Sequence, residues 1–309
     1  MGAKFRRLAG ALLLLVFSFA FLLFVREATT PILRPEPVSL SGTEAVKLDN
    51  GEEIVATIRD ALTRHDWRIT LSFHGDGEYM ENISGLVSEL MDAALSHTGQ
   101  PRQGDYIRYQ YGGYTLAYSH EAAASGYDYT LTITPEYYTT PAQEEALDRK
   151  IEEIAGQLGL YGTMSDREKI AAVYRYIRSV VAFDDVHKKN SYHHLKTTAY
   201  AALINGTAVC QGYCVSVYRL LLEAGIDVRI ITGTATYEDG ESELHSWNLV
   251  ALDGVYYNLD VTWCAQEDSD DYYMKSDASF PGHVRDPQYD SEAFRAFYPM
   301  AMSDAPLPS

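Results

Sequence analysis

Apolar residues along the chain fall into three patterns, and each predicts a different element. The first is unbroken: Leu8 to Val25 (LAGALLLLVFSFAFLLFV) contains no charged residue. At a helical rise of about 1.5 Å the run spans roughly 27 Å, close to the hydrocarbon thickness of a bilayer. The second recurs every three or four residues and predicts amphipathic helices. Ile54, Ile58, Ala61 and Leu62 form one such stripe, Ile83 to Leu95 carries another, and Ile170, Val173, Tyr174, Ile177 and Val181 a third. The third alternates and predicts half-buried strands, from Trp67 to Phe73 and through Tyr127, Tyr129, Leu131 and Ile133. Tyr106 to Tyr118 reads as a hairpin about Gly112-Gly113.

Polar residues mark where the helices begin. Thr140-Pro141 supplies an N-cap and a first-position proline for a helix reaching about Leu158. Ser165 and Glu168 have capping-box spacing ahead of the Ile170 stripe. A polar loop, DDVHKKNSYHHLK, then leads to a short helix ending near Gly206. QGYCVSVYRLLLEAG continues as a helix stopped by Gly225, with Val217, Leu221 and Leu222 as its core stripe. Short strands follow at Val228–Ala235, His245–Leu252 and Val255–Val261, the last two joined by Asp253-Gly254, a strong hairpin signal.

Charge orients the N-terminal run. Lys4, Arg6 and Arg7 precede it, and Arg26 alone directly follows. This bias predicts a signal anchor over residues 1–27, with the N-terminus cytoplasmic and the remainder outside. Residues 28–50, with PILRPEP, read as a proline-containing stalk. A small α+β domain is expected over 51–138, a larger α+β domain over 139–295, and a tail over 296–309. Hydrophobic residues make up 46% of the 309, enough for a substantial core. The net charge of −18 repels phosphate backbones, which argues against a nucleic-acid partner.

The candidate chemistry lies between Gly206 and Trp263. Cys210 opens a helix, where unpaired amides and the positive end of the dipole favour its thiolate, the nucleophilic form. With a two-residue turn at Asp253-Gly254, Leu252 pairs with Val255. Counting outward then brings Asp260 to the diagonal position from His245, within reach of an imidazole–carboxylate bond. A three-residue loop would put the two on opposite faces. In the first register, His245 takes and returns the thiol proton while Asp260 orients it. The Cys210 amide is a natural oxyanion donor. Candidates for the second donor and for substrate contact are Tyr200, the amides of residues 206–209, Gln211, Tyr213 and Trp247.

TAVCQGYCVSVYRLLLEAGIDVRIITG, HSWNLV and YYNLDVTW together resemble the transglutaminase-like superfamily of papain-like cysteine enzymes. Its members carry a Cys at a helix start, a His before a small residue and Trp-Asn, and an Asp-x-Thr-Trp strand. The resemblance extends from SDREKIAAVYRYIRSVVAFD to YYMKSDASFPGHV and is greatest to the secreted or anchored bacterial branch. It implies an α+β core with the nucleophile helix packed on an antiparallel sheet, and Cys210, His245 and Asp260 as nucleophile, base and orienting acid. It further implies acyl transfer through a thioester, by hydrolysis or crosslinking, on peptide or protein amides. The outside location points to cell-wall peptides or surface proteins as substrates, and no cofactor is expected. Cys214 and Cys264 depart from the usual pattern. They leave open a metal site of Cys210, Cys214, Cys264 and His245, or a disulfide among the cysteines. A catalytically inactive binding module is the alternative function.

Overall fold

The computed structural model describes residues 46–47, 51–75 and 82–308. The expected membrane span lies outside these residues, and so does the expected stalk except for Val46–Lys47, which pair with Leu71 and Ser72 as a strand rather than forming part of a linker. Among the described residues no helix is long and apolar enough to cross a membrane.

The first region is a four-stranded sheet with helices against it. Strand β1 (Val46–Lys47) and helix α1 (Gly51–Thr63) precede β2 (Ile69–Gly75), and α2 (Ile83–Ala94) follows. The α1 stripe buries Ile58, Ala61 and Leu62, as its periodicity requires. A short helix, α3 (Asp105–Arg108), then leads into two long strands, β3 (Tyr111–Ala122) and β4 (Tyr127–Tyr137). The strand order is β1-β2-β4-β3, antiparallel except for β1 beside β2.

The hairpin expected about Gly112-Gly113 is therefore not there. The chain runs straight through both glycines, and the reversal lies between Ala122 and Tyr127. The glycines serve an irregularity instead. Register shifts between Tyr111 and Gly113, and Gly113 has φ +107°, a conformation that only glycine adopts readily.

The second region opens with two capped helices. In α4 (Pro141–Leu158) the Thr140 side chain accepts from the Gln143 amide while Gln143 caps Thr140 in return. Ser165 and Glu168 make the same reciprocal pair at α5 (Asp166–Val180). Strands β5 (Ala182–Phe183) and β6 (Thr207–Ala208) pair in parallel, bracketing the polar loop and a π-helical turn at Ala201–Asn205. Helix α6 (Cys210–Glu223) is buried along nearly its whole length.

A second four-stranded sheet lies against α6, from β7 (Val228–Thr236), β8 (Ser242–Leu252) and β9 (Val255–Leu259). Its edge strand is β10 (His283–Arg285), giving the order β10-β7-β8-β9, antiparallel throughout. The Asp253-Gly254 turn has two residues, both at positive φ, and Leu252 pairs with Val255. The third strand stops at Leu259 rather than Val261, because Asp260 caps a short helix, α7 (Val261–Gln266). After α8 (Glu292–Phe297) the last residues, expected as a tail, run beside β9: the Tyr256 amide donates to Pro299, and Ala301 donates back to Tyr256.

One buried cluster runs through both regions, from Ile58 and Leu131 to Leu221 and Val250. A smaller one, with Ile231, Trp247, Leu249, Phe280 and Tyr289, covers the other face of the second sheet. The two regions are also joined by polar groups. Arg229 in β7 donates to the buried Asp105 carboxylate at 2.7 and 3.2 Å, and Ala199 donates to Gln110 at 2.8 Å.

Candidate active site

Helix α6 sets Cys210 at its first position, partly exposed. The N-cap, Val209, has no side-chain oxygen to cap the first turn, and the intrahelical ladder begins with Gly212 and Tyr213 donating to the Val209 carbonyl. The amides of Cys210 and Gln211 precede that ladder, which suits them to an oxyanion. Close packing fixes the turn. A Cβ on Gly212 would come within 2.6 Å of the Ala208 Cβ and 3.1 Å of the Lys196 and Thr198 carbonyls.

The polar loop before it is held from inside. The buried Lys196 ammonium donates to the carbonyls of His187, Lys188 and Asn190 at 2.6–2.9 Å. The loop is tied to the segment before Cys210 by bonds from the Asp184 amide to Ala208 and from the Val209 amide to Lys196, each 3.0 Å.

His245 comes from β8 and Asp260 from the residue after β9. Extending the β8–β9 register one step sets Asp260 opposite Trp247 and diagonal to His245. Across that diagonal His245 Nε2 donates to Asp260 Oδ2 at 2.7 Å, with both side chains buried. With Nε2 so engaged, Nδ1 is the ring nitrogen left for a thiol proton. The Cys210 thiol is close enough to the same imidazole for each group to shift the protonation of the other. Asp260 Oδ1 accepts from the amides of Thr262 and Trp263 at 2.9 and 3.1 Å. The structure thus brings Cys210, His245 and Asp260 together.

The electrostatics separate the three cysteines. Burial alone would push the Cys210 thiol up, but the hydrogen bond and charge of His245 bring it below the ordinary thiol value. Burial likewise opposes charge on His245, yet the Asp260 carboxylate, then Cys210, raise it well above the ordinary imidazole value. Asp260 is held below the usual carboxylate range, because His245 and His283 outweigh its desolvation. These directions favour a thiolate–imidazolium pair. Burial pushes Cys214 well up and Cys264 up to about 12, so both stay thiols. All three are free, so no disulfide forms among them.

The polar atoms of the further candidates do not converge on Cys210. Tyr213 donates from its hydroxyl to the Val181 carbonyl at 2.6 Å inside the core. The Gln211 amide donates to the Tyr109 carbonyl, and Trp247 Nε1 to Asn258 at 3.1 Å. Tyr200 packs against the large core at the start of the π-helical turn. The Trp247 ring does lie beside His245, 6.3 Å between centroids. Nor does a cysteine metal site assemble among the described residues. The groups whose ligand atoms lie close enough for an ion are Asp184, His187 and His193, and His245, Asp260 and His283. In the first, Asp184 accepts from the His187 amide and ring at 2.9–3.0 Å, an ordinary loop turn. The second contains His283, which the YYMKSDASFPGHV stretch of the resemblance includes without a role: its Nε2 lies 3.1 Å from Asp260 Oδ2.

Residues 155–261 match the family model described as the transglutaminase-like superfamily. The chain carries a transglutaminase-like domain. Its mixed α+β fold, with antiparallel sheets and the Cys210 helix against one of them, is the architecture that the resemblance implied. No curated protein matches the chain. Among solved structures, one described as a TGase aligns at 13% identity and TM-score 0.35, over 71% of this chain and 59% of that one. The alignment thus spans less than two thirds of that TGase. A putative cysteine protease from Cytophaga hutchinsonii aligns at 13% identity and TM-score 0.32, over 57% of this chain and 69% of its own. Calcium-bound LapG of Legionella pneumophila aligns at 11% identity and TM-score 0.31, over 47% and 73% respectively.

Proposed function

We propose that the chain is a thiol acyl-transfer enzyme acting on peptide or protein amides. The observation that carries this reading is the single activated cysteine: Cys210 has its thiol lowered beside a raised His245, while Cys214 and Cys264 are silenced by burial. In the proposed reaction the Cys210 thiolate attacks the amide carbonyl, and the amides at the start of α6 receive the oxyanion. His245 then protonates the departing amine, leaving a thioester on Cys210. Water releases the acid, or a second amine releases a crosslinked amide. Asp260 stays ionised and keeps the His245 ring in the productive tautomer. We further propose that residues 8–25 anchor the chain and that its substrates are peptides or proteins at the cell wall or surface. That placement rests on the length and flanking charge of the apolar run.

The test is trapping of the acyl-enzyme. Incubation of the intact chain with an activated acyl donor should yield a mass adduct on Cys210 alone, removed by hydroxylamine and absent from Cys210→Ala. If Cys210 acquires no adduct from any donor, the enzyme reading fails and the domain is a binding module.

A further inference from the structure

His283 enters the site from the edge strand β10, and the proposed triad makes no use of it. Its Nε2 faces Asp260 Oδ2 at 3.1 Å, and its Nδ1 faces the Pro281 carbonyl at 2.9 Å. A neutral imidazole offers one N–H and one lone pair. Here both nitrogens meet atoms that, as carbonyl and carboxylate, only accept, so the doubly protonated ring alone satisfies both. The surroundings suit a cation. The imidazole has no exposed surface, Phe280 stacks on it at 4.0 Å between centroids, and Trp263 lies at 4.5 Å. Aromatic faces attract positive charge, most strongly away from water.

We propose that His283 is a positioning residue of this site, an imidazolium that keeps Asp260 paired whatever the charge on His245. The proposal deepens the acyl-transfer reading and rests on it. Asp260 must serve His245 in two states. While the thiolate–imidazolium pair exists, the carboxylate faces a cation. Once His245 has given its proton to a leaving amine, a lone buried carboxylate would be left without a counter-ion, which is costly. It would therefore hold the proton on His245 and slow that transfer. With His283 charged, Asp260 is paired in both states, and the four groups Cys210, His245, Asp260 and His283 sum to no net charge before and after the transfer. The carboxylate is also locked in orientation. One oxygen takes two backbone amides, and the other is wedged between two imidazoles.

The other groups that face His283 do not compete for this role. His245 lies 5.6 Å away between centroids and is itself coupled to Cys210. Tyr272 lies at 5.8 Å, and burial pushes its phenol up to about 12, so it stays neutral. Arg285, on the same strand, directs its guanidinium to Asn258 and Asp277.

The experiment is histidine-selective nitrogen NMR on the intact chain. In the folded chain the His283 ring should show two protonated nitrogens, one facing Asp260 and one facing Pro281. In His283→Gln the titration midpoint of His245 should rise by about one pH unit, because removing a nearby cation favours protonated His245. A role in packing alone would lower stability and leave that midpoint in place. A singly protonated His283 at pH 7, or an unmoved His245 midpoint in the variant, would overturn the proposal. Should His283→Gln fail to fold, the native His283 signal decides. Neither readout needs turnover, so failure here is distinct from failure of the acyl-enzyme test.

Discussion

The sheet of β1–β4 is open at one end, whereas the sheet of β7–β10 has its central strands covered on both faces. In the first, β4 alternates buried and partly exposed residues, and β3 is exposed from Ala117 to Ala122. In the second, β7 is buried continuously from Val228 to Ile231 and β8 from His245 to Val250, with a separate apolar cluster on each side. One-sided burial writes a clean alternation into a sequence; two-sided burial writes a continuous run. Polar residues inside such a run are costly unless paired. His245, Ser246, Asn248, Asn258 and Asp260 are all buried at β8, β9 and the residue that follows. The candidate site lies where the second sheet buries polar groups that the first leaves at its surface.

The sharpest way to break the comparison is to cut the polar link between the regions. Asp105→Ala leaves Arg229 buried without its carboxylate and should cost about 3–5 kcal/mol in denaturant unfolding. The same pair has a pH signature. Desolvation opposes the Asp105 charge, but Arg229 outweighs it and depresses the carboxylate. A depressed carboxylate contributes stability above its unfolded value of about 4, lost as pH falls through the folded value. Acid titration of stability should therefore be shallower in Asp105→Ala than in the native chain.

Gly233→Ala probes the covered sheet alone. Its new Cβ would meet the Val284 carbonyl oxygen at 2.1 Å and the Trp247 ring at 2.9 Å. Overpacking there should cost about 1–3 kcal/mol and loosen β10 from β7, read as a lower melting temperature. The smallest effect belongs to the open sheet. Glu121→Ala, on the exposed end of β3, should change stability by no more than about 0.5 kcal/mol. A larger loss would mean that this end is covered in solution.

Much of this arrangement is written locally. Thr140 and Ser165 announce their helices because a cap is a short-range device, and Asp253-Gly254 sets the register that brings His245 to Asp260. The same locality misleads at Gly112-Gly113, since glycines serving a bulge look like glycines serving a turn. It also conceals that Asp260 is a helix cap. Asp260 accepts from the amides of Thr262 and Trp263, so the strand ends sooner than alternation suggests. Gln211 and Tyr213 sit near Cys210 in sequence and Trp247 near His245, but their polar atoms turn to Tyr109, Val181 and Asn258, contacts set by packing rather than by sequence neighbours. His283 gives no periodic signal, because β10 has three residues and reaches Asp260 from across the sheet.

The central claim is that one cysteine of three is held as a reactive thiolate by His245. The direct measurement is the alkylation rate of each cysteine in the intact, reduced chain as a function of pH, read by mass spectrometry. Because Cys210 is lowered and His245 raised, Cys210 should label fastest and keep labelling below about pH 7, where an ordinary thiol has fallen silent. In His245→Ala its rate at that pH should fall about tenfold or more, with the onset moving toward the ordinary thiol range. Labelling of Cys210 no faster than Cys214 or Cys264 across the range would contradict the account.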